Sequence, residues 1–318
     1  MDSVEAGLLQ ALQIDGRVPF AVVGELLGVS DQTVARRYAR LRVESGVRVL
    51  GAVWPEAVGQ QLWLVRVRCA PEAAVGLARA LARQRETSWV QIASGGAEIV
   101  CMVLAPLDVA GEDSAVLTRL PRTPRVTGVS AHCVLHSFVG GQTSPLTRNG
   151  PLTPEQCARL QPEITPVDAP LELSAGDRAL LAALAVDGRA GLRALAAATG
   201  WSQTTVRRRL KQLRDSGTLY FDVDFDPALL GLRMSAALWL TIAPGDLAAA
   251  GTALARHEQV SFAAATTGES NLYASVFCGG SVALYEYLTG PVTGLPGVRS
   301  VETAPSMRVF KQAVTIVG

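Results

Sequence analysis

Two acid-free cationic runs are the parts of this sequence best suited to bind a polyanion. The first lies between Gln32 and Arg42 and contains Arg36, Arg37, Arg40 and Arg42; the second lies between Gln203 and Arg214 and contains Arg207, Arg208, Arg209, Lys211 and Arg214. The net charge of the whole chain is only +1, so these cations are locally concentrated. Guanidinium groups bind phosphate and can hydrogen-bond to guanine in the major groove. The runs therefore predict two surfaces that contact nucleic acid.

The residues in front of each run are suited to begin a helix whose N-terminus faces DNA. Ser30 and Ser202 are favourable N-cap residues, and a capped N-terminus offers backbone N–H groups to phosphate. Glutamine can read adenine and arginine can read guanine. The candidate DNA-binding residues are Ser30, Gln32, Thr33, Arg36, Arg37, Arg40, Ser202, Gln203, Thr204, Arg207, Arg208 and Lys211. An ordinary trihelical bundle with a solvated cationic face, or a winged helix used only for protein contacts, remains an alternative.

Each cationic run belongs to the last helix of a predicted trihelical unit. Helices are predicted over 4–14, 19–27 and 30–45 in the first unit and over 175–186, 190–199 and 202–217 in the second. Turns that contain Gly28 and Gly200 join the last two helices, which is helix-turn-helix geometry. A short β-rich segment follows each unit, over 47–54 and 218–225, and makes the units winged.

One offset of 172 residues superimposes the two halves of the sequence. It places Asp15 on Asp187, Gly28 on Gly200, Pro55 on Pro227, Pro124 on Pro296 and Phe138 on Phe310. After each trihelical unit, the hydrophobic pattern follows the order β-α-β-β-α-β, which is ferredoxin-like. Each such antiparallel sheet has one face that needs cover, and a second copy in the same chain can supply it. The sequence therefore predicts an α+β fold in which two helix-turn-helix and two ferredoxin-like domains form an intrachain pseudo-dimer.

The predicted domain boundaries follow from this repeat. They are 1–54 and 171–226 for the helix-turn-helix domains, 60–140 and 232–318 for the ferredoxin-like domains, and 141–170 for a proline-rich linker with a short helix at 154–160. The ferredoxin-like domains should carry helices over 71–85, 107–120, 246–257 and 281–290.

Composition argues against several other classes of protein. Hydrophobic residues make up 49% of the chain, yet no apolar stretch approaches the roughly 18–20 residues that span a bilayer, so no membrane partner is expected. Asp2 and Glu5 stand where a secretion signal would carry Lys or Arg, which favours a cytoplasmic protein. The five cysteines are scattered and form no C-x-x-C pair. His132 and His136 would be roughly 13 Å apart on a strand, so no metal or other cofactor is expected.

Three motifs together resemble the Lrp/AsnC family of transcriptional regulators, here as a tandem fusion. They are the D-G-R step at Asp15–Arg17 and Asp187–Arg189, the G-x-S-x-x-T-V-x-R-R run that begins at Gly28 and Gly200, and Leu295-Pro296-Gly297-Val298 before the last strand. The first half departs from the third motif, since it has Thr123-Pro124-Arg125-Val126. The resemblance implies double-stranded DNA as partner and ferredoxin-like effector domains through which such proteins dimerise and sense amino acids or similar metabolites.

The resemblance also implies an effector site at a glycine turn between the second and third strands of each ferredoxin-like domain. The candidate residues are Thr266, Thr267, Gly268, Glu269, Ser270 and Asn271 in the second half and Gly95 and Glu98 in the first. The family usually has an acid just after the turn, suited to an ammonium group; Glu98 keeps it and Asn271 replaces it. The second turn, with more polar groups, is expected to bind an effector more readily, and a purely structural β-turn is the alternative at each position.

Two other classes of function compete with a metabolite-responsive regulator. Siroheme decarboxylases resemble these regulators in architecture and carry histidine and arginine on the second strand. The corresponding segments here, Val260-Ser261-Phe262-Ala263-Ala264 and Asn271-Leu272-Tyr273-Ala274, contain neither, so no catalytic residues are assigned and no enzyme is expected. A regulator that acts through protein contacts alone is the other alternative. Assembly of the pseudo-dimeric chains into homo-oligomers is compatible with the sequence.

Overall fold

The computed structural model describes residues 1–106, 115–140, 150–165 and 171–313. The chain divides into two units, each built from both repeats. The helical unit comprises Met1–Gly59 and Gly141–Leu230, and the barrel unit comprises Gln60–Gly140 and Gly231–Gly318. No helix in the described ranges has the length and apolar character needed to cross a membrane.

The helical unit contains both predicted trihelical sets. In the first repeat these are α1 (Ser3–Ile14), α2 (Phe20–Leu27) and α3 (Asp31–Glu44), followed by strand β1 (Arg48–Val53). The barrel-unit elements of that repeat come next along the chain: β2 (Gln60–Cys69), α4 (Pro71–Ala82), β3 (Thr87–Ala93), β4 (Glu98–Pro106), α5 (Ala115–Arg119) and β5 (Val126–Val139). Residues 107–114 of the predicted 107–120 helix lie outside the described residues.

The second repeat follows the same order after one additional helix, α6 (Pro154–Leu160). Its helical-unit elements are α7 (Ala175–Val186), α8 (Leu192–Thr199), α9 (Gln203–Asp215) and β6 (Leu219–Asp224). Its barrel-unit elements are β7 (Met234–Ile242), α10 (Leu247–Leu254), β8 (Val260–Thr266), β9 (Leu272–Cys278), α11 (Ser281–Thr289) and β10 (Val298–Lys311).

Local sequence signals explain where the helices of the helical unit begin and end. Ser174 and Asp177 form a capping box at the start of α7, and Asp2 with Glu5 forms another at the start of α1. Gly28 after α2 has φ +67° and Gly200 after α8 has φ +73°, a left-handed conformation that glycine adopts without a steric penalty. The tight turn of each helix-turn-helix thus depends on a glycine.

The two trihelical sets of the helical unit share one hydrophobic core. Strands β1 and β6 pair in antiparallel register from Arg48 opposite Asp224 to Val53 opposite Leu219. Below this ladder, fully buried leucines of α1 and α7 belong to a single cluster that includes Leu8, Leu12, Leu180 and Leu184. The pairing and the shared core make the two helix-turn-helix domains parts of one body.

The described part of the predicted linker packs onto the helical unit. Thr153 caps α6, and Leu152 and Leu160 are buried in the common core. The Gln156 side-chain amide donates a hydrogen bond to the Leu26 carbonyl oxygen at 2.9 Å. Residues 141–149 and 166–170 of this segment lie outside the described residues.

Eight strands of the barrel unit form a closed barrel in the order β10-β3-β4-β2-β5-β8-β9-β7. Each repeat supplies the four strands of a β-α-β-β-α-β set, and the two sets join where β5 pairs with β8 and β10 pairs with β3. The long last strand of each repeat therefore belongs to both sheets. The predicted pseudo-dimer is confirmed, and its sheets close on one another edge to edge.

The barrel has an apolar interior and helices on its outside. Inward residues of both repeats, including Leu64, Val100, Trp239 and Tyr273, form the interior cluster. Separate clusters lie under α4 and under α10 and α11. His132 and His136 have packing contacts, since their rings lie 5.1 Å from Trp239 and 4.7 Å from Phe138. No group of three or more His, Cys, Asp and Glu within the described ranges could hold a metal ion.

The turn before the last strand gives a first testable prediction. Arg125 has φ +67° where the equivalent Gly297 of the second repeat has φ +63°, and an L side chain pays roughly 1 kcal/mol for this conformation. Replacing Arg125 by Gly should therefore raise the free energy of unfolding of the barrel unit by about 0.5–1 kcal/mol, measured by urea denaturation. Loss of the exposed Arg125–Glu72 ion pair, with its N···O distance of 2.7 Å, offsets this gain by only a few tenths of a kcal/mol.

Gly297→Ala is the matched control for Arg125→Gly. A Cβ at Gly297 would lie 2.4 Å from Asp246 Oδ2 and would sit on a left-handed backbone. We expect this substitution to lower the free energy of unfolding by at least about 1 kcal/mol. A loss of stability in Arg125→Gly would mean that the left-handed arginine is not strained.

The half-buried Asp222 in the helical unit gives a second prediction. Burial raises the pKa of Asp222 to about 6, although hydrogen bonds from Gln13 and the Val223 N–H oppose the shift. The native state therefore holds this proton more tightly than the unfolded chain, and stability should fall as pH rises from about 4 to above 6. Since one pKa unit corresponds to about 1.4 kcal/mol, Asp222→Asn should stabilise the protein by roughly 1–3 kcal/mol at pH 7.5.

Chemical denaturation at pH 5 and pH 7.5 tests this expectation. The stabilisation by Asp222→Asn should be larger at pH 7.5 than at pH 5, because at pH 5 the wild-type carboxyl group is mostly protonated. The control Glu163→Gln removes an exposed carboxylate and should leave stability within about 0.5 kcal/mol at both pH values. Equal effects of Asp222→Asn at both pH values would contradict the raised pKa.

Candidate DNA-binding helices and effector turns

Each candidate recognition helix begins at a serine cap. Ser30 Oγ accepts a hydrogen bond from the Thr33 N–H at 3.2 Å, and Ser202 Oγ accepts one from the Thr205 N–H at 3.1 Å. The hydroxyls of each pair lie 2.9 Å apart. These side chains fix the first turn of α3 and α9. The other N–H groups of that turn and the side chains that follow can therefore contact a ligand.

Part of the cationic run on each helix faces its own domain. Arg37 forms an ion pair with Asp2, Arg40 forms one with Glu5, and Arg209 binds Asp177 through Nε and Nη2 at 2.6 and 3.0 Å. Arg37 and Arg209 occupy equivalent positions in the repeat. They hold the recognition helix against the first helix of the same domain.

The pKa of Asp177 reflects this contact. Burial alone would raise the pKa of the carboxyl group, but hydrogen bonds from Arg209 and Ser174 outweigh it and hold the pKa below its ordinary value. Asp177 is therefore ionised at neutral pH, and its charge is matched by Arg209. Sequence reasoning missed this role of Arg209; the acids at equivalent places in α1 and α7 were the available signal.

Four other cations of these runs are exposed, whereas Arg42 and Arg214 pair with acids of the opposite domain. Arg36 on α3 and Arg207 and Arg208 on α9 are exposed and make no ion pair with any other described residue. Arg36 and Arg208 are equivalent in the repeat. Lys211 is exposed but pairs with Asp215 one turn later at 2.5 Å. The exposed polar residues in the first turns are Gln32, Gln203 and Thr204, whereas Thr33 is half-buried.

The first turns of the two recognition helices carry different charge. Asp31 is exposed at the first position of α3, and the exposed Gln203 occupies the equivalent position of α9. The fixed acid near the N-terminus stabilises α3 but repels phosphate. The two helices thus present unlike surfaces, and that of α9 is the more cationic.

The candidate effector turn of the second repeat, residues 266–271, uses most of its polar groups in hydrogen bonds within the protein. Asn271 Oδ1 accepts from the Ile242 N–H at 2.8 Å and its Nδ2 donates to the Ile242 carbonyl at 2.9 Å. Thr266 Oγ1 donates to the Ser270 carbonyl at 3.0 Å. Asn271 therefore fastens the turn to the end of β7. Glu269 is exposed and Ser270 half-buried.

The same turn is joined to β5 of the first repeat. Thr267 Oγ1 accepts a hydrogen bond from the Cys133 N–H, and the Thr267 N–H donates to the Cys133 carbonyl, each at 2.9 Å. His132 Nδ1 lies 2.8 Å from the Thr267 carbonyl oxygen. A Cβ on Gly268 would lie 2.5 Å from His132 Nδ1, so glycine permits this close approach.

The acid of the first effector turn is buried and paired. Three consecutive residues, Ser94, Gly95 and Gly96, have φ of +53°, +72° and +94° and form the turn. Glu98 is 4% exposed; its Oε1 accepts from Arg66 Nε at 2.6 Å and its Oε2 from Ser94 Oγ at 3.0 Å. The carboxylate expected to meet an ammonium group is thus already neutralised by an internal cation.

Arg66 connects the two repeats inside the barrel. Its Nη1 and Nη2 donate to Glu302 at 2.9 and 2.6 Å, and its guanidinium carbon lies 4.8 Å from the centre of the Trp239 ring. These hydrogen bonds lower the pKa of Glu302. Hydrogen bonds to Glu302 raise the pKa of Arg66, although its burial opposes them. The role of Gly95, Glu98 and residues 266–271 in effector binding stays a prediction, and any ligand must replace bonds that exist in its absence.

Fold and sites together define a DNA-binding class of protein, with two helix-turn-helix domains in one body and a duplicated ferredoxin-like barrel. The AsnC-type helix-turn-helix domain model matches residues 1–42 and 173–214, and the Lrp/AsnC ligand binding domain model matches residues 235–316. The chain belongs to the Lrp/AsnC family. It is therefore made of DNA-binding and small-molecule-binding modules.

Curated relatives include regulators about half as long as this chain. The HTH-type transcriptional regulator FL11 of Pyrococcus abyssi is 27% identical to this chain over 141 residues. The aligned region covers 44% of this chain and 93% of the relative. The FL11 regulator of Pyrococcus horikoshii is 26% identical over 141 residues, with the same coverage of both chains. Among solved structures, the siroheme decarboxylase NirDL has a TM-score of 0.65 at 13% identity and covers 98% of this chain and 93% of that chain. That likeness shows the fold along nearly the whole chain.

Proposed function

We propose that this protein is a sequence-specific DNA-binding transcriptional regulator in the cytoplasm, in which one chain supplies both DNA-reading domains. The observation that carries the proposal is the exposure of Arg36, Arg207 and Arg208, without ion pairs to other described residues, on two capped helices of one unit. A solvated face that served only solubility would not need an acid-free stretch on both copies. The FL11 relatives, which are regulators, support the same function.

The proposed division of labour follows the predicted domains. Residues 1–54 and 171–226 read double-stranded DNA, and residues 60–140 and 232–318 form the effector domains. Capped N-termini and arginines bind phosphate, while Gln32, Gln203 and Thr204 reach base edges. Because the two helices are unlike, the preferred site need not be a palindrome.

We further propose that a small, amino-acid-like metabolite binds the barrel unit and modulates DNA binding. The matching ligand-binding domain model supports this. At the second turn, the side chains of the exposed Glu269 and the half-buried Ser270 take no part in the hydrogen bonds described above and could bind a ligand without breaking them. A ligand that replaced the Thr267–Cys133 bonds would loosen the turn from β5, and it could act only by favouring one arrangement of the chain over another.

A decarboxylase activity is the weaker candidate, although the fold is shared with such an enzyme. A likeness of fold does not carry function, which depends on the residues of the site. Segments 260–264 and 271–274 contain no histidine and no arginine. Turnover of a tetrapyrrole by the purified protein would overturn the assignment as a regulator.

Selection of genomic fragments tests the proposed function directly. We expect the full chain to retain a specific subset of fragments in a gel shift, with log affinity falling against log salt by about 0.9 per phosphate contacted. Repeating the selection with candidate amino acids identifies the effector. Failure to retain any fragment at low salt would favour a protein that acts through protein contacts alone.

A further inference from the structure

Two arginines away from the recognition helices join the two helix-turn-helix domains. Each donates two hydrogen bonds to backbone carbonyl oxygens of the other domain: Arg17 to Gly188 at 2.6 Å and Ala190 at 3.0 Å, and Arg189 to Gly16 at 2.7 Å and Val18 at 3.0 Å. The offset of 172 residues relates the two pairs of bonds. The exchange is therefore reciprocal and follows the pseudo-two-fold relation of the repeats.

The loops that carry these arginines have little freedom to move. Asp15 Oδ1 accepts from the Arg17 N–H and Asp187 Oδ1 from the Arg189 N–H, each at 2.9 Å. A Cβ on the intervening Gly16 would lie 2.5 Å from Phe221 Cβ. Each loop thus approaches the other domain at a distance that only glycine allows.

Reciprocal ion pairs surround this exchange. Arg214 of the second domain binds Asp15 at 2.8 Å, and Arg42 of the first lies 3.9 Å from Asp187. Both of these arginines are in the last turns of the recognition helices. The loops therefore contact the recognition helix of the opposite domain, which connects their position to the position of the DNA-reading surface.

The surroundings of Arg17 and Arg189 oppose their charge but supply acceptors for their N–H groups. Burial lowers the pKa of both guanidinium groups, and the charge of Arg189 lowers that of Arg17 further. Two apolar side chains of similar size would avoid bringing like charges together, but they would leave four backbone carbonyl oxygens without these donors. A guanidinium fork, by contrast, fixes both distance and direction between the groups it joins.

We propose that Arg17 and Arg189 are positioning residues that set the separation and orientation of α3 and α9, and with them the spacing of the two DNA half-sites. The inference rests on the proposed DNA-binding function. The β1–β6 ladder and the shared core keep the domains associated without these arginines. We therefore expect loss of the arginines to change the angle between α3 and α9 and not to separate the domains. Each inserted base pair moves one half-site by roughly 3.4 Å and turns it by about 35° around the DNA axis, so a fixed reader tolerates few insertions.

The test starts from a duplex selected by the full wild-type chain, with one, two or five base pairs inserted between the half-sites that footprinting defines. Wild-type affinity should fall at least about tenfold with one or two insertions. In Arg17→Met/Arg189→Met, affinity for the original duplex should be lower than that of the wild type. The affinity of this variant for each inserted duplex should then lie within about threefold of its own affinity for the original duplex. Arg17→Lys/Arg189→Lys keeps the charge but loses the fork and should show the same relaxed spacing profile.

Controls separate this role from loss of charge, loss of fold and loss of function. Arg83→Met/Arg85→Met removes two exposed arginines of the barrel unit and should keep the wild-type spacing profile. Wild-type tolerance of insertions, or a folded Met or Lys double variant that keeps the steep profile, overturns the inference. If the Met variant does not fold, the Lys variant and the wild-type insertion series decide. A wild-type chain that binds no duplex contradicts the proposed function itself.

Discussion

Replacing Arg207 and Arg208 by Ala weakens DNA binding by about 1–3 kcal/mol for each hydrogen-bonded base that the variant no longer reads, and by more than the replacement of Arg36. Both arginines are exposed on α9, and neither makes an ion pair with another described residue. On α3, only Arg36 combines this exposure with the lack of an ion pair, and Asp31 in the first turn opposes phosphate. The half-site read by α9 should therefore supply most of the affinity.

Gel-shift titrations at several salt concentrations distinguish the two kinds of interaction with DNA. An arginine that binds phosphate lowers the salt slope by about 1 when it is removed, whereas removal of one that reads a base relaxes sequence preference at one position. Arg83→Ala/Arg85→Ala, which removes exposed cations of the barrel unit, should bind as the wild type does. Unchanged affinity of Arg207→Ala/Arg208→Ala would remove α9 from the DNA interface.

The elements that the sequence predicted well are those specified by local signals. Ser30 and Ser202 cap their helices as their position predicts. On β2, Val65 and Val67 pack in the cluster under α4, whereas Arg66 lies over Trp239 on the other face, as expected from the two-residue period of a strand. Such signals act within a few residues and need no knowledge of the rest of the chain.

Long-range contacts could not be predicted in the same way. Arg37 and Arg40 of the acid-free run on α3 form ion pairs with Asp2 and Glu5 at the start of α1, and their predicted contact with DNA stays a prediction. An ion pair with an acid some 35 residues away leaves no local pattern in the sequence, so this pairing stays hidden. Strand pairs such as β5 with β8 are equally remote.

The effector turns show the same limit. Glu98 and Asn271 are polar residues after a glycine turn, and their types alone suggest groups that await a ligand. Arg66 lies on the inward face of β2, however, and a buried guanidinium requires an acid nearby. Arg66 stands between Val65 and Val67 in the sequence. An arginine in such a strand indicates that an acid of the barrel pairs with it and is not free for a ligand.

The largest expected effect on stability is that of removing this buried acid. Glu98→Ala leaves Arg66, which is only 9% exposed, without one of its two carboxylate partners. Breaking a buried pair from one side typically costs 3–5 kcal/mol, and because Glu302 still neutralises Arg66, we expect a loss of about 2–4 kcal/mol in the barrel unit. The measurement is urea denaturation followed by tryptophan fluorescence, to which Trp239 beside the Arg66 guanidinium contributes.

Two companion variants decide whether Glu98 acts as an internal partner or as a vacant ligand group. Glu269→Ala removes the exposed acid of the second turn and should change stability by less than about 0.5 kcal/mol. Arg66→Met/Glu98→Leu removes both buried charges and should be more stable than Glu98→Ala, because no buried guanidinium is left without one of its carboxylate partners. If Glu98→Ala instead kept full stability and only abolished the response to an effector, the acid would be a ligand group and its pairing with Arg66 dispensable.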